Sequence, residues 1–215
     1  MSKDLSNYRK SYEKQELLES NCPKNPMELF QNWFITADDS KMVDESNAMT
    51  ISSIGLDGFP KSRVVLLKKY TSEGFIFYTN YNSEKGKAIA NNNNICLSFF
   101  WPALEQQIII KGNAEILEEN LSDRYFESRP DGSKLGAWAS DQSKVVNSRE
   151  ELEQSLKTFE KQFEGNEIER PKHWGGYFIK PISIEFWQGR PNRMHDRIRY
   201  TLEQDFSWKI ERLAP

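Results

Sequence analysis

The stretch AMTISSIGLDGFPKSRVVLLKK, residues 48–69, changes the hydrophobic period of the chain to two. Alternation of apolar and polar residues is the pattern of a half-buried strand, because successive side chains of a strand point to opposite faces. Residues 49–54 and 61–69 are therefore predicted strands, and the GLDG segment at 55–58 is predicted to join them as a hairpin. Turn signals recur about every ten residues after this hairpin, which is typical of an antiparallel barrel or sandwich.

The same alternation continues toward the C-terminus, with helices inserted between the strands. Further strands are predicted at residues 75–79, 95–101, 106–118, 177–180, 184–188, 194–200 and 208–213. Helices are predicted from Pro26 to before Ser46, at 83–90 with Ser83 as cap, at 121–128 with Ser122 as cap, and around 152–163. Residues 129–147 have the composition of a loop. The fold class is thus mainly β with inserted helices (α+β), a β-barrel decorated by helices.

The length bounds the domain organisation. With 215 residues, the chain is close to the upper size at which one hydrophobic core serves a single domain. Residues 1–24 are polar, weakly periodic and end in Cys22-Pro23, so they are predicted to form an N-terminal arm. Residues 25–215 are predicted to form the single domain.

Composition and charge exclude several classes of protein. Lys and Arg number 29 against 32 Asp and Glu, which argues against a nucleic-acid binder that relies on overall positive charge. The uncharged stretch 95–104 is about half the length of a membrane-spanning helix, and no secretory signal is recognised, so a cytoplasmic location is expected. Cys22 and Cys96 stand far apart without metal-ligand spacing, and only two histidines are present, so no metal site is predicted.

The common catalytic signatures are missing. The sequence has no G-x-G-x-x-G, no Walker loop, no G-x-S-x-G and no H-E-x-x-H. Any chemistry must therefore use other side chains or a bound cofactor.

Cations beside apolar strands suggest an anion-binding site. On a strand, Arg63 and Lys68 of RVVLLK point to opposite faces, although strands often begin and end with charges. Lys85 lies in the first turn of the helix that Ser83 caps, where free N–H groups and the helix dipole attract a phosphate. A solvated surface lysine is the alternative.

A second candidate cluster lies near the end of the helix predicted at 121–128. Tyr125 and Arg129 are four residues apart and can share a face, and the Ser133 hydroxyl could complete a clamp for an oxyanion. An ordinary helix terminus, with an Arg beside the last carbonyls, is the alternative.

The third cluster is RMHDR at 193–197. On a strand, Arg193, His195 and Arg197 share one face, where they repel each other unless an anion lies among them. A salt-bridged edge strand is the alternative.

Several short motifs occur together in one order and spacing. They are RVVLLK (63–68), FYTN (77–80), SRP (128–130), GAW (136–138), WGG (174–176), IEFWQG (184–189), RMHDR (193–197) and the closing RLAP. Over about residues 8–215, the chain resembles the pyridoxamine 5′-phosphate oxidase family.

The resemblance implies a fold, an activity and partners. The fold is an antiparallel FMN-binding split β-barrel, and the partner is a second copy, in a homodimer with FMN at the interface. The reaction converts pyridoxamine 5′-phosphate or pyridoxine 5′-phosphate to pyridoxal 5′-phosphate by hydride transfer from C4′ to flavin N5. O2 accepts the electrons and H2O2 is formed. No nucleic acid and no membrane take part.

The resemblance also assigns residues. FMN contacts are expected from Arg63, Val64, Val65, Leu66, Leu67, Lys68, Tyr78, Thr79, Lys85, Gln107, Gln142, Ser143, Trp187 and Arg197. Substrate contacts are expected from Lys68, Tyr125, Arg129, Ser133, Arg193 and His195, with Arg9 and Tyr12 of the arm as a lid. Arg193 and His195 are the expected catalytic pair, which holds the pyridine ring and C4′ over the flavin.

One position departs from the family, and two other functions stay open. Glu84 stands where the family has a cation, and a carboxylate near the flavin phosphate should weaken binding unless it turns to solvent. Another split-barrel flavoprotein, such as a flavin reductase, would need a nicotinamide donor. A carrier would store FMN or pyridoxal phosphate without turnover, and a pure FMN carrier would need no second set of cations.

Overall fold

A computed structural model describes residues 1–215. The α-helices are α1 (Pro26–Asp39), α2 (Glu84–Asn91), α3 (Glu119–Glu127), α4 (Asp131–Ala139) and α5 (Arg149–Gln162). The strands are β1 (Ala48–Ile54), β2 (Pro60–Leu66), β3 (Lys69–Tyr70), β4 (Phe75–Asn80), β5 (Asn94–Trp101), β6 (Gln106–Ile116), β7 (Trp174–Gln188), β8 (Asp196–Leu202) and β9 (Trp208–Arg212).

The nine strands belong to one hydrogen-bonded sheet. Its order is β2-β1-β5-β6-β7-β4-β3, and β8 joins it by pairing with β7 and β9. The pairs β3–β4, β4–β7, β7–β8 and β8–β9 are antiparallel. The predicted class, mainly β with inserted helices, is therefore confirmed.

The chain forms two compact units, and the first consists of residues 1–49, 97–111 and 181–215. Helix α1 begins at Pro26, where the Asn25 side chain accepts a hydrogen bond of 2.9 Å from the Met27 N–H. Its apolar face packs on the strands, with Trp33 edge-on to Phe186. The predicted arm, residues 1–24, belongs to this unit, and the boundary expected at residue 25 stays a prediction.

The second unit consists of residues 50–96 and 112–180. Phe75 and Phe77 of β4 are fully buried in it. Helix α2 begins after Ser83, whose hydroxyl accepts a hydrogen bond of 3.2 Å from the Gly86 N–H, as predicted for a cap. A smaller cluster joins Phe126 of α3, Ala137 of α4 and Trp174 of β7.

Several predicted elements differ from the structure. The strand predicted at 61–69 is interrupted at Leu67 and Lys68, because the Lys68 N–H turns to the Ile76 carbonyl at 2.9 Å. The two strands predicted at 177–180 and 184–188 are one strand, β7. Helix α4 occupies part of the segment predicted as a loop.

Two predictions about the elements that carry the candidate clusters are also wrong. Ser122 does not cap its helix: α3 begins at Glu119, and the buried Ser122 hydroxyl accepts a hydrogen bond of 3.1 Å from the Gly176 N–H. Strand β8 begins only at Asp196, so Arg193 and His195 precede it and do not share a strand face with Arg197.

The longest helices, α1 and α5, have 14 residues each, and none of the helices combines the length and apolar character that crossing a bilayer requires.

Candidate functional site

The second unit contains a cavity of about 680 Å³. It is lined by Arg63, Val64, Val65, Leu66, Lys68, Tyr78, Thr79, Asn80, Lys85, Tyr125, Arg129, Pro130, Ser133, Gln142, Ser143 and Trp174. Four of these side chains are cations and none is a carboxylate. A cavity of this size with several convergent cations is suited to an anionic ligand that contains rings.

The interruption after β2 decides where two of the cations lie. Arg63 lies on β2, and Lys68 follows the break at Leu67. The strand period that puts them on opposite faces ends with β2 at Leu66, and both residues line the same cavity. Strict strand alternation ends where the strand ends, so one cavity receives both charges.

Lys85 is a half-buried cation with neutral partners. Its Nζ donates to Gln142 Oε1 at 2.7 Å, to Thr79 Oγ1 at 3.0 Å and to Ser83 Oγ at 3.4 Å. Burial lowers its pKa, and the nearby Arg63 guanidinium lowers it further. An anion in the cavity would relieve both effects, and this supports the prediction of an anion site at Lys85 over a solvated lysine.

Arg129 lies over a stack of aromatic rings. The rings of Tyr78 and Tyr125 are 3.9 Å apart between centroids, and the Tyr78 and Trp174 rings are 5.5 Å apart and nearly parallel. The Arg129 guanidinium carbon is 4.4 Å from the Trp174 ring centroid. The Nη1 atom of Arg129 is buried without a hydrogen-bond partner. Burial lowers the pKa of the Arg129 guanidinium. A buried donor without a partner is costly, so this nitrogen is available to an oxyanion.

Gly176 explains part of the WGG motif. It pairs with Tyr78 across β4 and β7. A Cβ at this position would lie 2.9 Å from Tyr78 Cε1 and 2.8 Å from Leu117 Cδ2. Glycine therefore allows the Tyr78 ring to lie flat beside Trp174.

The Glu84 carboxylate does not line this cavity, and it is paired with neighbouring cations instead of pointing only into solvent. Its carboxylate is 3.1 Å from Lys61 Nζ and 3.8 Å from Arg63 Nη2. Glu84 lines a separate, smaller pocket with Lys61 and Asp57. It therefore competes for one of the cations that line the larger cavity.

The first unit holds a second cluster, around His195. The His195 ring lies 4.8 Å from Trp187 and 5.7 Å from Tyr12 of the arm, measured between centroids. Nδ1 of His195 accepts a hydrogen bond of 3.0 Å from the Arg190 N–H. The neutral ring therefore carries its proton on Nε2, where it can be donated.

Arg193, Arg197 and Gln107 of the first unit differ in their exposure and in their side-chain partners. Arg193 is exposed, with a φ of 61° in the left-handed region. Arg197 pairs with Glu185 at 2.8 Å, and this hydrogen bond raises the pKa of Arg197. Gln107 Nε2 donates to Ser98 Oγ at 3.4 Å.

The structure thus divides the predicted site residues between the two units. Of those in the second unit, all but Leu67 line the cavity, and Leu67 is buried. The predicted residues of the first unit are Arg9, Tyr12, Gln107, Trp187, Arg193, His195 and Arg197. Sequence reasoning missed Trp174, Asn80 and Pro130, although each belongs to a motif that it singled out.

The residues of the cavity fit FMN. A phosphate dianion requires cations, and Lys85 offers an Nζ whose partners are all neutral. The Arg63, Lys68 and Lys85 side chains are the ones that would bind the flavin phosphate and ring. Arg129, with its unpartnered Nη1, is left for a second anion.

Comparison with known proteins gives the same result. Residues 35–163 match the family model described as pyridoxamine 5′-phosphate oxidase, and residues 174–215 match the pyridoxine 5′-phosphate oxidase C-terminal dimerisation region. A pyridoxine/pyridoxamine 5′-phosphate oxidase from Flavobacterium psychrophilum is 68% identical over 99% of this chain and 100% of its own length. The enzyme of the same name from Cyanothece sp. is 47% identical over the full length of both.

Solved structures agree with the fold. PhzG from Burkholderia lata, in complex with tetrahydrophenazine-1-carboxylic acid, superposes with a TM-score of 0.85 at 29% identity, covering 93% of this chain and 98% of its own. An FMN-binding protein from Nostoc punctiforme superposes with a TM-score of 0.70 at 13% identity, covering 88% and 97%.

The two solved structures confirm the predicted split-barrel fold. The family match and the relatives confirm the oxidase activity and the FMN cofactor. The matched dimerisation region supports a homodimer. Two family models together span most of the sequence, and close relatives align along its whole length, so the chain belongs to the pyridoxamine 5′-phosphate oxidase family.

Proposed function

We propose that the chain oxidises pyridoxamine 5′-phosphate and pyridoxine 5′-phosphate to pyridoxal 5′-phosphate in a site made by two subunits. The observation that carries the proposal is the cavity with four cations and no carboxylate. Two phosphorylated ring systems bring two dianions, and a site for only one of them would not need this excess of positive charge.

The cavity residues divide between the two anions. Arg63, Lys85, Thr79, Gln142 and Ser143 bind the phosphate side of FMN, and the backbone of residues 63–68 lies along the flavin. Arg129, Tyr125 and Ser133 bind the substrate phosphate, with Lys68 able to reach either anion. The buried Nη1 of Arg129 gains a partner when the substrate phosphate binds, so the site discriminates against unphosphorylated vitamers.

Held by Arg63, Lys85 and the backbone of residues 63–68, FMN would supply the acceptor for a hydride from C4′ of the substrate and the route for the electrons to O2. For the amine, the sum is pyridoxamine 5′-phosphate, water and O2 going to pyridoxal 5′-phosphate, ammonia and H2O2. The protein contributes alignment and electrostatics.

Arg193 and His195 orient the reacting end of the substrate. The His195 ring is fixed by the hydrogen bond from the Arg190 N–H, so its Nε2–H can donate to the amine or hydroxyl on C4′ or to the hydroxyl oxygen on C3 of the pyridine ring. Arg193 is exposed and can reach a bound anion or ring. Both residues hold C4′ over the flavin.

The two sets of residues come from different subunits of the homodimer. The cavity is lined only by residues of the second unit, whereas Gln107, Trp187, Arg193, His195 and Arg197 belong to the first. A partner in a twofold dimer supplies its first unit to the cavity of the other chain, and the exchange is reciprocal.

Subunit mixing tests the shared site. Arg129→Ala removes a cavity residue and Arg193→Ala removes a residue of the first unit, so each homodimer is inactive. Random reassociation of equal amounts restores about one quarter of wild-type turnover, because one site of each mixed dimer is intact. Activity that stays at the level of the separate variants contradicts a shared site. A mixture of two cavity variants, Arg129→Ala and Lys68→Ala, is the matched control and regains nothing.

Choice of substrate separates this function from the two alternatives. The purified protein should be yellow and should produce peroxide with either phosphorylated vitamer, measured as O2 uptake together with product absorbance. A flavin reductase would instead consume a nicotinamide donor and ignore the vitamers. A carrier would bind FMN or pyridoxal phosphate without turnover.

A further inference from the structure

Glu105 is an unusual residue in the turn between β5 and β6. It is 2% exposed, and its φ of 58° lies in the left-handed region that favours glycine. A buried carboxylate on a strained backbone is retained only where the surrounding structure holds it in place.

The Glu105 carboxylate is directed at the N-terminal arm. Its Oε2 accepts hydrogen bonds from the N–H groups of Glu13 at 2.8 Å and Lys14 at 3.1 Å. Its Oε1 lies 3.5 Å from Lys10 Nζ. These hydrogen bonds, together with Lys10, lower the pKa of Glu105 although burial opposes them, so the group is ionised.

The Glu105 backbone is fixed to the segment that leads to His195. Its carbonyl accepts hydrogen bonds from the Gly189 N–H at 2.7 Å and from Gln188 Nε2 at 3.2 Å. A Cβ at Gly189 would lie 2.7 Å from Tyr12 Cγ and 3.1 Å from Glu105 Cβ. The arm therefore lies directly on Gly189, and glycine is the residue that permits this approach.

Tyr12 immediately precedes the residues that Glu105 holds. Its ring meets Trp187 edge-on at 5.7 Å and lies 5.7 Å from His195. Fixing the N–H groups of residues 13 and 14 fixes the backbone next to Tyr12, and so the position of its ring on His195.

We propose that Glu105 is a positioning residue, which holds the arm so that Tyr12 packs on His195 and Trp187 and closes the substrate end of the site. Only the expected effect on KM rests on the proposed function. The position of the arm itself does not depend on it. Because the arm is ordered before substrate binds, the ordering entropy is not lost at the binding step, and KM is lower.

The first test measures the arm without any substrate. Hydrogen exchange of the Glu13 and Lys14 amides is followed in the FMN-loaded full-length protein and in three variants, Glu105→Gln, Glu105→Ala and Glu105→Gly. We expect exchange about tenfold faster in the Ala and Gly variants and an intermediate rate in Gln, which keeps one acceptor oxygen. Glu105→Gly relaxes the left-handed backbone, so it folds even if Glu105→Ala does not. Wild-type exchange in Glu105→Gly overturns the proposal.

The second test asks whether Glu105 acts through Tyr12. We expect Glu105→Gly and Tyr12→Ala each to raise KM for pyridoxamine 5′-phosphate about fivefold, with kcat within about twofold, and the double variant to add nothing further. Additive effects in the double variant overturn the role assigned to Glu105. Glu19→Gln is the matched control, because this carboxylate pairs with Arg212 at the other end of the arm. Its loss should leave both the amide exchange of Glu13 and Lys14 and the KM unchanged.

The two tests separate the proposals. A protein that oxidises neither vitamer contradicts the proposed function, while the exchange rates of Glu13 and Lys14 still decide whether Glu105 holds the arm.

Discussion

Arg193 and its neighbour Asn192 both have left-handed backbone conformations, with φ of 61° and 56°. Asparagine tolerates this region, but arginine gains nothing from it locally, and such a residue costs about 1–2 kcal/mol. The Arg193 side chain is exposed in the single chain, and the proposed function needs a guanidinium at this position. The strained backbone therefore lies at a residue to which the proposed function gives a substrate contact.

Replacing Arg193 separates stability from activity. Arg193→Gly should be more stable than Arg193→Ala by about 1 kcal/mol, because glycine alone accepts a positive φ without strain. Both variants should lose turnover about 100-fold or more, with FMN content unchanged, since the guanidinium is missing in each. Thermal unfolding and O2 uptake measure the two effects. An Ala variant as stable as Gly would show that no strain is stored at this residue.

Glu84 is an acidic residue next to a cation of the cavity. Its carboxylate lies 3.8 Å from Arg63 and competes with the FMN phosphate for that cation. Glu84→Gln should tighten FMN binding about three- to fivefold, because an exposed ion pair is worth up to about 1 kcal/mol. Titration of the apoprotein, followed by quenching of flavin fluorescence, gives the dissociation constant. Glu73→Gln, an exposed carboxylate in the turn between β3 and β4, is the control and should change nothing.

Helix α2 links a local stability device to the site, because the hydroxyl that caps it is also a partner of Lys85. The Ser83 hydroxyl is buried, donates to the Asn80 carbonyl at 2.7 Å and accepts from the Gly86 N–H. The same oxygen lies 3.4 Å from Lys85 Nζ. Ser148 caps α5 in the same way, through the Glu151 N–H, but it does not line the cavity.

The paired caps give a controlled prediction. Ser83→Ala and Ser148→Ala should each reduce the free energy of unfolding by about 1 kcal/mol, with Ser83 the larger because it is buried. Only Ser83→Ala should weaken FMN binding, several-fold, since Lys85 loses one of its oriented partners. Denaturant unfolding and flavin titration measure the pair. Equal loss of FMN affinity in both variants would mean that the effect comes from global stability.

The elements also show what could be predicted from the sequence. The hairpin at β1 and β2, the Asn25 and Ser83 caps and β4 follow from period and cap chemistry, which act over a few residues. The interruption at Leu67–Lys68 could not be predicted, because RVVLLK is a continuous strand pattern and the break depends on the pairing of Lys68 with Ile76 in β4. Helix α4 was missed because its sequence, DGSKLGAWA, contains two glycines and is stabilised by packing on α5 and Trp174.

The same limit applies to the site. Family motifs identified nearly all cavity residues of the second unit, but period alone put Arg63 and Lys68 on opposite faces. Contacts between residues that are distant in the sequence decide which side chains line the cavity. The packing of Arg129 on Trp174 is another contact of this kind. The roles proposed for His195 and Glu105 rest on hydrogen bonds from the backbone N–H groups of Arg190 and of the arm. Backbone donors are present at almost every residue, and the arm is far from Glu105 along the chain, so neither contact leaves a sequence pattern.

In the first unit, the Phe100 side chain leaves a large apolar ring at the surface of the sheet. Phe100 of β5 is 55% exposed, on the same strand face as Ser98, which accepts a hydrogen bond from Gln107. Burying this ring against a partner would remove its apolar surface from water. Gln107 is also an expected FMN contact, so this face is the one that a partner subunit would bring to the flavin.

Phe100→Glu tests whether dimer formation and FMN binding are one event. The side chain is exposed in the single chain, so the substitution removes little internal packing, but it places a charge in the proposed interface. We expect the variant to be monomeric by light scattering and to bind FMN at least about tenfold more weakly, because FMN that contacts two subunits binds only the dimer. Ile35→Glu, on the exposed face of α1, should leave both properties unchanged. A monomeric variant with wild-type FMN affinity would contradict a flavin at the interface. A dimeric variant with full FMN content would show that Phe100 is not part of the interface.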